Sequence, residues 1–132
     1  LNDVLATIGI EQMKHVDEIV SKFHENGELF RKTLADIPGL SNIKRESNCY
    51  PTYWAYTILV ENRDGLIKKL KEEGIDSMQI HPRNDTWSMF SESKRDLPGV
   101  DYFDKRELSI PCGWWVTEED INRISNIIKK GW

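Results

Sequence analysis

Apolar residues recur every three or four positions over the first third of the chain and every second position in its middle, and these two periods divide it into elements. Val4, Leu5, Ile8 and Met13 predict a first helix. Val16, Val20, Phe23, Phe30, Leu34 and Ile37 share one face of a second, longer helix. Asn26-Gly27 is a turn dipeptide, yet the register survives it. The helix is therefore read as continuous, with Gly27 on its apolar face allowing close packing, until Pro38-Gly39 ends it.

Leu40–Glu46 reads as a short strand and Asn48-Cys49-Tyr50-Pro51 as a loop. Tyr53–Val60 alternates most cleanly, with Trp54, Tyr56, Ile58 and Val60 on one face and Tyr53, Ala55, Thr57 and Leu59 on the other. Asn62 caps a helix over Asp64–Glu73 whose inward residues are Leu66, Ile67 and Leu70. Ile75–Ile80 is the next expected strand, and it leads into His81-Pro82-Arg83-Asn84-Asp85. A polar stretch, Ser91–Asp96, precedes a short helix near Asp101–Arg106 and a strand over Glu107–Ile110. Thr117 caps a last helix with Ile121, Ile124, Ile127 and Ile128 inward, ending at Gly131. The order α-α-β-β-α-β-loop-α-β-α predicts an α+β domain: a small mixed or antiparallel sheet of three to four strands covered by helices, with a long N-terminal helix.

Composition narrows the classes. At 132 residues the chain suffices for one domain with its own core, so residues 1–132 are read as a single domain. A net charge of −4 lacks the basic footprint of a nucleic-acid binder. No apolar run approaches the length of a membrane span. Cys49 and Cys112, without CxxC spacing, suit free thiols in a reducing compartment, and the expected location is cytoplasmic. The chain begins at Leu1, already in helical register, and reads as a cut end.

The densest candidate chemistry is the His81 loop, which offers an imidazole, a rigid turn, a fork of donors, an amide and a carboxylate in five residues. Arg suits a bidentate grip on phosphate or carboxylate, and Arg83, Asn84 and Asp85 stand close enough to orient the His81 ring. No second His or Cys stands at metal-ligand spacing, so no metal is expected. His15 and His24 fall on the polar side of the long helix and read as solvated. Ser91-Glu92-Ser93-Lys94 fits an S-x-x-K pattern, but nothing shelters the lysine, and the pattern is rejected as a nucleophile. Trp114-Trp115 is either a core plug with one exposed ring or a stacking surface. Five Trp, four Tyr and four Phe exceed what one small core needs, which leaves room for an exposed patch. Residues alone thus give a binding loop without a catalytic group.

An opening helix and seven further motifs, in order, resemble one family. Asn2-Asp3-Val4-Leu5-Ala6-Thr7-Ile8-Gly9-Ile10-Glu11-Gln12-Met13 is similar to the S-E-L-x-A-A-I-G-L-x-Q-L helix of the DegT/DnrJ/EryC1/StrS sugar aminotransferases. Leu34-x-x-Ile37-Pro38-Gly39-Leu40, the aromatic strand, Glu73-Gly74-Ile75, the histidine loop, Leu97-Pro98, Leu108-Ser109-Ile110-Pro111 and Thr117-Glu118-Glu119-Asp120-Ile121 follow in family order. The resemblance implies a pyridoxal-phosphate enzyme of aspartate-aminotransferase-like fold (fold type I), moving an amino group, usually from glutamate, to a keto-sugar nucleotide. It places this chain as the C-terminal small domain. The Schiff-base lysine and the other cofactor contacts would then lie upstream of Leu1, leaving no catalytic or cofactor-binding residue here.

Within that frame the His81 loop is the substrate-binding candidate. Many members read H-Y-x-P-L-H there; this chain departs from that pattern and carries one extra residue between Gly74 and the histidine. Arg83 is expected on sugar or diphosphate oxygens, His81 and Asp85 on sugar hydroxyls, and Asn84 beside them. The expected partners are the nucleotide sugar, the chain's own large domain and a second subunit of a homodimer. Two alternatives remain: a free-standing α+β ligand-binding or regulatory domain, and an interaction module resting on the tryptophans.

Overall fold

A computed structural model describes residues 2–132. Helix α1 (Asp3–Met13) starts where Asn2 Oδ1 accepts the Leu5 N–H at 3.0 Å. None of its residues is buried, and Val4, Leu5, Ile8, Ile10 and Met13 are all more than half exposed. Helix α2 (Val16–Thr33) runs unbroken through Asn26-Gly27, as the register required. The reason is a close approach: a Cβ on Gly27 would lie 1.9 Å from Tyr53 Cδ2. Asn26 is itself buried and donates through Nδ2 to the Gly113 and Val116 carbonyls, both at 2.9 Å, pinning a distant turn to the helix. The helix stops four residues before Ile37, because Asp36 turns to positive φ (57°), a conformation a short carboxylate tolerates.

Strands β1 (Leu40–Asn42), β2 (Ala55–Val60) and β3 (Glu107–Pro111) form a three-stranded antiparallel sheet in that order. The alternation of β2 holds, with Tyr56, Ile58 and Val60 buried, but the strand begins only at Ala55. Trp54, expected on the face of Tyr56, Ile58 and Val60, lies outside the strand and is 64% exposed. β1 is shorter than the Leu40–Glu46 expectation.

Helix α3 (Arg63–Glu72) buries Leu66 and Leu70 and is capped by Asn62, whose Oδ1 accepts the Gly65 N–H at 3.2 Å. Helix α4 (Pro98–Asp104) begins three residues earlier than expected, with Pro98 in its first turn, where a missing N–H costs nothing. Helix α5 (Glu118–Lys129) follows the pattern, burying Ile121, Ile124, Ile127 and Ile128 behind a Thr117–Asp120 capping box. Phe30 of α2, Ile58 of β2, Leu66 of α3, Leu108 of β3 and Ile128 of α5 are all fully buried in one core. Each contributes about 1.5–3 kcal/mol of apolar transfer.

Ile75–Ile80 is not a strand. It touches the sheet through one bridge, Met78 to Ser109, with both backbone hydrogen bonds formed at 3.2 and 2.9 Å. The ladder would next set Ile80 against Glu107. There the Glu107 side chain takes over, its Oε2 accepting the Ile80 N–H at 3.1 Å in place of a backbone carbonyl. Pairing ends and the chain turns away into the His81 loop.

Candidate functional site

The loop after Ile80 divides its residues between two sides. His81 and Asn84 are exposed, while Arg83 is buried at 9% and Asp85 is half-buried. Two consecutive 3₁₀ turns, Asn84–Thr86 and Ser88–Ser93, carry Trp87, Met89 and Phe90 outward at 59, 80 and 45% exposure. The loop therefore presents an imidazole, an amide and three apolar side chains to whatever faces it.

Arg83 is the fastener. Its Nε–H donates to Asp85 Oδ1 at 2.7 Å and one Nη2–H to Asp85 Oδ2, a bidentate pair. Its Nη1 donates to Asp101 Oδ1 of α4, and its second Nη2–H reaches the Arg95 carbonyl at 3.1 Å. Four of the five guanidinium donors are thus held by the protein itself. The hydrogen bond to Asp85, with Asp101 adding its field, raises the guanidinium above its ordinary pKa; the same bond holds the Asp85 carboxyl below its own. The four expected residues are near one another, but Arg83 and Asp85 bond to each other, and Arg83 also to Asp101 of α4, not to the His81 ring.

Two carboxylates missing from the sequence reading, Asp104 and Glu107, fix the loop. Asp104 Oδ1 accepts the Arg83 N–H at 2.8 Å and a Gln79 side-chain N–H at 3.0 Å. Glu107, completely buried, accepts the Ile80 and His81 N–H groups. Alternation marks Glu107 only as a residue on the less apolar face of β3, so no sequence signal announced it.

Shallow recesses flank the loop. One, of about 280 Å³, is lined by Arg83, Asn84, Asp85, Ser93, Leu97 and Val100. The other, of about 370 Å³, runs beside Ile80, Met78, Ser77, Ser109 and Ala55. A larger groove, of about 610 Å³, lies elsewhere, between the start of α2 and Trp114.

Trp114 and Trp115 are exposed at 52 and 65%, which removes the core-plug reading. They meet edge-to-face at 6.0 Å, and Trp115 folds back over Gly113, where a Cβ would fall 2.4 Å from its ring. His24, expected in solvent, is half-buried: its ring stacks on Tyr50 at 3.8 Å and its Nδ1–H donates to the Pro51 carbonyl at 2.9 Å. Beside it Arg45 pairs with Glu28, and Tyr53 donates to Glu28 Oε1 at 3.0 Å, latching the 43–53 segment to α2.

Residues 1–129 match the sequence profile of the DegT/DnrJ/EryC1/StrS aminotransferase family. The chain belongs to this family. GDP-perosamine synthase of Vibrio cholerae is 26% identical over 137 residues, an alignment covering 98% of this chain and 37% of that protein. Among solved structures, the sugar aminotransferase CalS13 of Micromonospora echinospora superposes with a TM-score of 0.95 at 33% identity, over all of this chain and 36% of that one. AtS13 of Actinomadura melliaura gives 0.94 at 31%, over all of this chain and 35% of that one. The chain therefore spans little more than a third of the relatives it matches.

The DegT/DnrJ/EryC1/StrS membership sharpens what the residues can and cannot hold. A pyridoxal cofactor needs a sheltered lysine for its aldehyde and a cradle for its phosphate. Every lysine among the described residues is exposed or half-exposed, and none sits in the recesses beside the loop. These residues do not fit that cofactor by themselves. Among the described residues no group of His, Cys, Asp and Glu is arranged to hold a metal ion, and no helix is long and apolar enough to cross a membrane.

Proposed function

We propose that this chain is the C-terminal small domain of a pyridoxal-phosphate-dependent aminotransferase. The parent enzyme transfers an amino group from glutamate to a keto-sugar nucleotide. The observation that carries the reading is the family match over residues 1–129 together with sugar aminotransferases among the relatives. The cofactor and its lysine belong to the remainder of the enzyme; this chain's share is recognition.

In that role His81 and Asn84 supply donors and acceptors to sugar hydroxyls, and Trp87 and Phe90 supply apolar cover. Arg83 and Asp85 act chiefly by holding the loop in shape, with the one free Nη1–H of Arg83 left for a ligand oxygen. The apolar side of α1 and the Trp114-Trp115 ridge are covered by the large domain and by a second subunit, which accounts for exposure this size on a small domain. The test is to supply the full-length protein with pyridoxal phosphate, L-glutamate and a keto-sugar nucleotide, and to follow the amino-sugar nucleotide by mass spectrometry. Formation of that product supports the reading; cofactor loading with no transfer to any keto-sugar nucleotide overturns it.

A further inference from the structure

Asp101, Asp104 and Glu107 stand at three-residue intervals across the end of α4 and the start of β3, and each carboxylate grips a different point of the segment from Gln79 to Asp85. Asp101 takes the Arg83 guanidinium, Asp104 the Arg83 N–H, and Glu107 the N–H groups of Ile80 and His81. Glu107 is the deepest of the three, with no exposed surface, and its Oε1 also accepts the Ser109 hydroxyl at 2.9 Å. Its partners are two backbone amides and one hydroxyl.

This arrangement solves a specific problem. A buried backbone N–H without an acceptor costs about 1–3 kcal/mol, so a segment leaving a sheet normally keeps pairing until it reaches water. Here pairing ends at Met78–Ser109, and one carboxylate takes the Ile80 and His81 amides that the sheet no longer serves. The chain can therefore leave the sheet early, with His81 exposed just past the point where it leaves.

We infer that Glu107, seconded by Asp104, is a positioning residue for ligand recognition. It touches no ligand itself, and it fixes the backbone from which His81 and Asn84 are presented. The inference rests on the reading that this loop faces the nucleotide sugar, and two separate readouts keep the two claims apart.

The experiment compares full-length wild-type protein with Glu107→Ala, Glu107→Gln and Asp104→Ala. Hydrogen–deuterium exchange of peptides spanning residues 76–84 reports the loop, with peptides over β2 as the control for global folding. KM and kcat for the keto-sugar nucleotide report recognition. Glu107→Ala is expected to speed exchange at Ile80 and His81 and to raise KM about tenfold while kcat stays within about twofold. Glu107→Gln keeps an oxygen that both amides can share, and should restore most of the lost affinity. Asp104→Ala, at a half-buried position near the helix end, should raise KM in the same direction and carries the test should Glu107→Ala fail to fold. Unchanged exchange over residues 76–84 overturns the inference, as does faster exchange with unchanged KM. A wild-type protein that turns over no keto-sugar nucleotide overturns the substrate reading instead, and the exchange data then decide alone whether Glu107 holds the loop.

Discussion

Replacing Gly27 by Ala sets two effects of known sign against each other. In a helix interior Ala is favoured over Gly by about 1 kcal/mol, so a free position would gain stability. At Gly27 the added Cβ falls 1.9 Å from Tyr53 Cδ2 and 2.3 Å from Cγ. These atoms belong to the base of the ring rather than to a mobile tip, so the whole side chain must swing or α2 must retreat from the segment that carries Tyr53. Overpacking of this kind costs about 1–3 kcal/mol. Tyr53 also donates to Glu28 and lies 5.4 Å from the Tyr56 ring, so moving it disturbs the latch on the 43–53 segment as well. The clash wins. At 1.9 Å the clash belongs in the upper part of that range, about 2–3 kcal/mol, so the net loss should be about 1–2 kcal/mol, read as a fall in Tm of roughly 4–8 °C for a chain of this size. Thermal unfolding of the 132-residue chain by circular dichroism measures it. Gly9→Ala, where no atom lies within 4 Å, serves as the control and should not lower Tm. The Gly27→Ala penalty should largely vanish in a Tyr53→Ala background, since the two residues then no longer meet. A Tm that is unchanged or raised by Gly27→Ala alone would refute the close approach.

Four further outcomes are expected. Arg83→Ala should raise KM for the nucleotide sugar in the full-length enzyme without reducing cofactor loading, and Arg83→Lys should not restore it, because an ammonium cannot span Asp85 and Asp101 as the fork does; an unchanged KM would contradict this. Thr117→Ala removes the capping box of α5 and should cost about 1 kcal/mol, seen as a lower urea midpoint. The carboxyls of Asp85 and Asp120 are held below their ordinary values by hydrogen bonds from Arg83 and Thr117; at Glu28 burial pushes upward, but hydrogen bonds from Arg45 and Tyr53 outweigh it. Depressed folded-state values mean that their stabilisation is present above the ordinary carboxylate range of about 3.9–4.3 and is lost as pH falls below it, so the urea midpoint should drop on acidification through and below that range; a midpoint that rises on acidification would be inconsistent with these pairs. Cys112 is fully buried, which pushes its thiol up to about 12, whereas Cys49 is exposed. A thiol reagent at pH 8 should therefore label one cysteine quickly in the native chain and both only after unfolding; fast native labelling of both would refute the burial.

The elements that could be read from the sequence are those whose burial follows their own period. α5 shows its four isoleucines and its cap directly, and β2 alternates because one face meets the helices and the other does not. α2 remained legible through Asn26-Gly27 because packing against Tyr53 overrides a local turn signal, and only the apolar register carries that information. Ile75–Ile80 misled for the opposite reason. Its alternation is real, but what ends its pairing is the Glu107 carboxylate, a residue 27 positions away whose role is invisible until the chain is folded. The His81 loop stands out as a candidate by its concentration of polar groups, and Arg83 shows why roles within it are harder to assign. A bidentate fork suits a phosphate or a carboxylate equally, and in the folded chain the carboxylates of Asp85 and Asp101 are already there. His24 failed similarly: its place on a helical wheel is polar, but the 43–53 segment folds back over it.

The central claim is that this chain gives a sugar aminotransferase the loop that recognises its substrate. The most direct measurement is KM for the keto-sugar nucleotide in the full-length enzyme carrying His81→Ala together with Asn84→Ala, with cofactor absorbance recorded alongside. Losing two ligand hydrogen bonds, each about 0.5–1.5 kcal/mol, predicts KM raised about fivefold to 150-fold with the cofactor still fully bound. A KM equal to that of the wild type would contradict the claim.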